Sequence, residues 1–166
     1  TPTCAQVTTV NVGEARSEGF EVETIYRITE NLRGSLGGAY TQSELTADAP
    51  SLGGVSGDRL PSAPDYSFNV GLQYDFQIAE YPSYVSTDYA YVSEFYNKLG
   101  ETGTRTGGYG QLNLSAGMAI NNLSVEIYGR NMTNDDALTY ADTSQPDDRA
   151  YQLRPRTMGL NLTYRF

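Results

Sequence analysis

The sequence predicts an all-β chain, an antiparallel up-and-down meander of about eight strands, each long enough to cross a bilayer at a tilt. Three observations carry that expectation. Apolar and polar residues alternate with period two along the chain, short turns alternate with long polar loops, and the composition suits strands, with 14 Tyr, 5 Phe and 17 Gly among 166 residues. The mean hydropathy is −0.47, and no apolar run approaches the roughly 20 residues of a spanning helix. Alternating strands escape that requirement, because only every second residue has to be apolar. The length suits one domain.

The alternation is clearest at the end of the chain. Met158, Leu160, Leu162, Tyr164 and Phe166 fall on one face, and Thr157, Gly159, Asn161, Thr163 and Arg165 on the other. Residues 111–120 and 66–76 repeat it, the second with Tyr66, Phe68, Val70, Leu72, Tyr74 and Phe76 opposite Ser67, Asn69, Gly71, Gln73 and Asp75. Weaker strands are expected at 20–28, 32–43, 84–95 and 123–130, and a short one at Val7 to Val12. Glu30-Asn31, Ala79-Glu80 and Asn121-Asn122 read as tight turns. Long polar loops are expected at 46–63, 97–108 and 132–154. Such alternation of short and long connections separates the two ends of a barrel that faces a narrow compartment on one side and the exterior on the other.

Alternation alone leaves the sense of the sheet open. In a soluble barrel the apolar stripe points inward; in a membrane barrel it meets lipid, and Glu21, Glu23, Arg27, Asn69, Gln73, Asp75, Glu126, Arg130 and Arg165 line the lumen. Strand length, loop asymmetry and the placement of Tyr26, Tyr40, Tyr66, Tyr74 and Tyr164 near strand ends favour the membrane.

Other chemistry is not indicated. With a net charge of −9 and 11 scattered basic residues, nucleic acid is not expected as a partner. There is no His for a catalytic triad, and the single Cys4 supplies neither an internal disulfide nor a zinc constellation, so no enzyme, metal or cofactor is expected. Gly53-Gly54 and Gly107-Gly108 lack the Lys and helix of a phosphate cradle. Asp135-Asp136 and Asp147-Asp148 read as solvated loop carboxylates, with divalent bridging to lipopolysaccharide as the alternative. No signal peptide is recognised at Thr1-Pro2-Thr3-Cys4.

Several segments then fall into one pattern. Asn11-Val12-Gly13-Glu14-Ala15-Arg16-Ser17-Glu18-Gly19-Phe20-Glu21-Val22-Glu23 is followed by Gly38-Ala39-Tyr40-Thr41-Gln42-Ser43, Gly57-Asp58-Arg59-Leu60-Pro61-Ser62-Ala63-Pro64 and Asp88-Tyr89-Ala90-Tyr91-Val92-Ser93. Tyr128-Gly129-Arg130-Asn131-Met132-Thr133-Asn134 and Arg154-Pro155-Arg156-Thr157-Met158-Gly159-Leu160 lead to the terminal Tyr164-Arg165-Phe166. In this order, over residues 11–166, they resemble the late barrel strands of TonB-dependent outer-membrane transporters, with Met132 in place of a usual Leu.

The resemblance implies the C-terminal segment of a transmembrane barrel of about 22 strands with a plugged lumen. It implies import of a scarce nutrient, by default a ferric siderophore, with carbohydrate or cobalamin as alternatives. The partners implied are TonB acting through the plug, outer-membrane lipid and lipopolysaccharide, and the barrel-assembly machinery reading the strand that ends in Phe166. Neither a plug nor a TonB box is recognised in these residues, so the domain reading is one partial barrel over 1–166. The C-terminus is expected in the periplasm, with the long loops extracellular. Candidate cargo contacts are Tyr96, Arg105 and Tyr109 around one long loop and Tyr140, Arg149 and Tyr151 in another, since Arg pairs with anionic groups and Tyr stacks. The alternatives are a complete barrel of about eight strands of the OmpA or OmpX kind, which would require Val7–Val12 to close on the last strand, and a secreted β-sandwich. Produced alone, the chain is expected to aggregate through its open edge strands; a monodisperse preparation with a cooperative melt would overturn that.

Overall fold

The computed structural model describes residues 13–142 and 149–166. Seven strands form one antiparallel sheet: β1 (Ala15–Arg27), β2 (Leu32–Leu45), β3 (Tyr66–Ile78), β4 (Tyr81–Val92), β7 (Tyr109–Ile120), β8 (Leu123–Arg130) and β11 (Thr157–Tyr164). They neighbour one another in chain order, β1-β2-β3-β4-β7-β8-β11, as an up-and-down meander does. Between them sit two small hairpins, β5 (Phe95–Tyr96) with β6 (Arg105–Thr106), and β9 (Leu138–Asp142) with β10 (Arg149–Gln152). Among the described residues β1 and β11 are the open edges of the sheet. The stretch Val7–Val12 and Cys4 lie outside the described residues.

Two sequence expectations need correction. The strand expected at 84–95 runs instead over Tyr81–Val92, and Phe95 belongs to β5. Pro82, which discourages a strand reading, pairs with Gln77 close to the start of β4, where a missing N–H is tolerated. The strand expected to begin at 20 begins at Ala15, and its partner β2 runs on to Leu45. That extension is polar on both faces, tied by Ser17–Ser43 hydroxyls at 2.8 Å and an Arg16–Glu44 ion pair at 3.1 Å. No apolar period marks it, because its stability comes from cross-strand polar pairs and not from one buried face.

Register is what turns seven separate stripes into one face. Phe20 lies opposite Tyr40, Leu36 opposite Val70, Tyr74 opposite Val85, Val85 opposite Ala116, Ala116 opposite Ile127, and Ile127 opposite Leu160. A one-residue slip at any pair would turn a strand's apolar residues to the other side. Large apolar side chains on this face stand exposed, Leu160 at 57% and Leu162 at 62%. Aromatic rings gather at its two ends. Phe20–Tyr40 (5.8 Å between centroids), Tyr66–Tyr91 (5.9 Å) and Phe68–Tyr91 (5.5 Å) lie toward the long loops, and Tyr74–Phe76 (5.8 Å) and Tyr164–Phe166 (5.1 Å) toward the short turns. From Tyr66 to Tyr74 is roughly 27 Å along the strand, about 20 Å across a membrane at a tilt of about 40° and close to the height of a barrel's apolar band.

The opposite face is polar and bonded across strands. Tyr84 donates to Glu126 Oε2 at 2.6 Å, and Asn161 Nδ2 donates to Glu126 Oε1 at 3.1 Å, so one carboxylate joins β4, β8 and β11. Asn113 donates to Asp88 at 2.6 Å, Ser86 and Ser115 share a bond at 2.7 Å, and within β3 Gln73 donates to Asp75 at 2.7 Å. The short turns fall at 28–31, 79–80 and 121–122 as expected, with Asn121 at φ 52°, a left-handed conformation that Asn tolerates.

Candidate functional site

The three long connections leave the same end of the sheet, and each has folded structure of its own. In 46–65, a short 3-10 turn, Pro50–Leu52, follows the buried Ala49, and Leu45 at the end of β2 is buried as well. The other two carry the β5–β6 and β9–β10 hairpins. The polar composition that marks them as loops leaves these hairpins invisible to periodicity.

They are also bonded to one another. Arg59 Nη1 donates to Glu101 Oε1 at 2.7 Å, and Nη2 pairs with Asp65 at 2.5 Å. The bond from Glu101, against the opposing effect of burial, holds the Arg59 pKa above its ordinary value, so the guanidinium stays charged. Ser62 N–H donates to the Tyr96 carbonyl at 2.8 Å, and Gly100 N–H to the Arg59 carbonyl at 3.2 Å. On the other side of the middle connection, Gly107 N–H donates to the Leu138 carbonyl at 2.8 Å, and Asn97 Nδ2 to the Ala141 carbonyl at 3.1 Å. The loops thus form one connected cap.

Five of the six residues expected to contact cargo lie on the two hairpins. Tyr96 stands opposite Arg105 in β5–β6, and Arg105 Nη1 reaches Glu94 at 3.0 Å while remaining largely exposed. Tyr140 stands opposite Tyr151 with ring centroids 6.1 Å apart and tilted by 43°; Arg149 stands opposite Asp142. By strand period, Tyr140, Asp142, Arg149 and Tyr151 share one hairpin face. Tyr109 is apart from them, half-buried as the first residue of β7 opposite Val92. Exposed rings beside a guanidinium can stack on a planar group and pair with an anion.

Asp135 is occupied structurally: its carboxylate accepts from Gly110 N–H at 3.2 Å and Ala137 N–H at 3.0 Å. Asp147-Asp148 lies outside the described residues. Two residues not singled out from the sequence prove central. Arg59 joins two loops, and Asn131 is 1% exposed at the loop end of β8. Both sat in plain view within the motifs quoted above, but a motif gives no partner.

Residues 1–132 match the family model described as TonB dependent receptor-like, beta-barrel. The chain belongs to the TonB-dependent receptor family. The fold agrees with solved receptors. The chain matches the ferric yersiniabactin uptake receptor FyuA of Yersinia pestis at TM-score 0.81 and 24% identity, over 94% of this chain and 24% of that one. It matches BauA, the ferric preacinetobactin receptor of Acinetobacter baumannii, at TM-score 0.73 and 23% identity, over 93% of this chain and 23% of that one. No curated protein matches significantly. The chain therefore spans about a quarter of the length of these receptors, as a stretch of TonB-dependent receptor barrel wall. A barrel of that fold turns an apolar face to lipid and a polar face to its lumen. The family match favours this reading over a complete small barrel or a sandwich.

Proposed function

We propose that residues 1–166 form the C-terminal wall of an outer-membrane transporter that imports a ferric siderophore. The rest of the barrel, a plug and its TonB contact would be supplied by sequence beyond these residues. The observation that carries this reading is the connected loop cap, presenting Tyr and Arg above a polar inner wall, on a fold shared with two ferric-siderophore receptors. In this reading the cap is extracellular, Phe166 ends at the periplasmic face where the assembly machinery engages it, and the aromatic rows contact the two lipid–water boundaries, the outer one rich in lipopolysaccharide. Tyr96, Arg105, Tyr109, Tyr140, Arg149 and Tyr151 would contact cargo, Tyr by stacking and Arg by charge.

The test is growth and labelled-iron uptake in cells carrying the full gene, with iron withheld except as ferric siderophores. Disrupting the gene is expected to abolish uptake of one ferric complex and leave ferrous iron uptake intact. Tyr140→Ala with Tyr151→Ala is expected to weaken cargo binding at least about tenfold, roughly the loss of two stacking contacts of about 1 kcal/mol each. Loss of cobalamin or oligosaccharide uptake, with every ferric complex still imported, would overturn the cargo.

A further inference from the structure

Asn131 is the least exposed residue with a large polar side chain among those described, at 1%, and its backbone holds φ 50°. Its carboxamide nitrogen carries two hydrogens, and the two bonds they make go to opposite ends of the same excursion of the chain: the Asp135 carbonyl at 2.8 Å and the Arg154 carbonyl at 2.8 Å. Its carboxamide oxygen accepts from Asp135 N–H at 3.0 Å. Its own N–H donates to Asn113 Oδ1 on β7 at 3.0 Å. Around it, Asn134 Oδ1 accepts from Arg156 N–H at 3.1 Å, Thr133 Oγ1 donates to the Gly110 carbonyl at 3.0 Å, and Met132 N–H donates to the Leu112 carbonyl at 2.7 Å.

We infer that Asn131 is a positioning residue that ties the base of the 136–153 excursion, sets the entry of β11 into the sheet, and so makes the β9–β10 hairpin a replaceable insert. The two segments that the sequence shows as separate motifs, 128–134 and 154–160, are one unit bonded through this side chain. β11 begins at Thr157, three residues after the tied carbonyl, and pairs with β8 from Thr157 opposite Arg130 onward. Its register is therefore fixed at the base of the excursion, and the hairpin with Tyr140 and Tyr151 can change without moving the wall. The inference rests on the barrel-wall geometry and not on the identity of the cargo.

An isosteric Asn131→Asp replaces the double donor with a buried carboxylate facing two carbonyl oxygens, a substitution that removes the tie without opening a cavity. The experiment uses the full-length gene expressed in cells, with Cys4→Ser as background and two engineered cysteine pairs read by oxidative cross-linking in membranes. Ile127→Cys with Leu160→Cys reports the native register, and Ile127→Cys with Leu162→Cys reports a two-residue slip. Replacing residues 138–152 by a short Gly-Ser linker, with Asn131 kept, is expected to leave the native cross-link within about twofold and the slipped one at background. Asn131→Asp, with the hairpin kept, is expected to lower the native cross-link at least fivefold. If Asn131→Asp prevents assembly altogether, the hairpin replacement still decides. A native cross-link lost on hairpin replacement, or unchanged in Asn131→Asp, overturns the inference.

Discussion

Leu72→Arg is expected to destabilise the assembled barrel by about 2–4 kcal/mol, the cost of a cation near the middle of the lipid-facing band. Leu72 sits midway along β3 on the apolar face, opposite Gly34 and Thr87. That loss alone would not reveal which way the face points, since a charge in a closed core is equally unwelcome. Leu72→Ala separates the two cases. Lipid chains fill the space beside a shortened side chain, so the expected cost is about 1 kcal/mol, whereas truncation in a closed protein core costs about 2–5 kcal/mol because a cavity remains. Asn69→Arg on the polar face is expected to change stability by no more than about 0.5 kcal/mol. Its guanidinium can extend over Gly37 toward Glu23, which lie in register with it. Urea titration of the full receptor refolded into phospholipid vesicles measures all three. A large loss for Leu72→Ala would mean that the apolar face is a closed core and would sink the membrane sense.

Gly117→Leu is the second large effect, at about 2–4 kcal/mol. Tyr84 on β4 lies directly opposite Gly117 on β7, and Gly117 lies opposite Glu126 on β8. The tyrosine reaches its 2.6 Å bond to Glu126 by crossing over the glycine, and a Cβ there would overlap the ring. Leucine would force the ring away, combining overpacking of about 1–3 kcal/mol with loss of a hydrogen bond to a carboxylate, about 1.5–3 kcal/mol before allowing for partial exposure. Removing the ring should relieve the first part, so Gly117→Leu with Tyr84→Ala is expected to be less destabilised than the sum of the single changes. Gly159 on β11, with the ring of Tyr128 on β8 lying over it, repeats the close approach of ring to glycine. Simple additivity in the double-mutant cycle would show that the ring does not depend on the glycine.

The device also shows where sequence reading stops. Gly117 and Gly159 read simply as polar-face positions with small residues, since nothing in a single strand says that a ring from the next strand lies over them. The same holds for Glu126: alternation assigned it to the polar face, but its partners, Tyr84 and Asn161, lie 42 and 35 residues away in sequence. Arg59 and Asn131 were legible as members of motifs and not as joints, because hydrogen bonds between loops leave no periodic trace. The loop hairpins carrying Tyr96, Arg105, Tyr140, Arg149 and Tyr151 have strands of two to five residues, too short to show a period, so the sequence marked the loops while the tertiary structure showed how these side chains pair.

By itself the sequence determined the strand type, the apolar face of each strand, the turn positions and the separation of long loops from short turns. All of these follow from local rules: a two-residue side-chain period and the backbone preferences of turn residues. The tertiary structure decided the register that aligns seven stripes into one apolar surface, the bonds that make three loops a single cap, and the tie at Asn131. These depend on which strand lies beside which, a non-local choice made when the pairs that align the apolar faces also satisfy the polar groups opposite them.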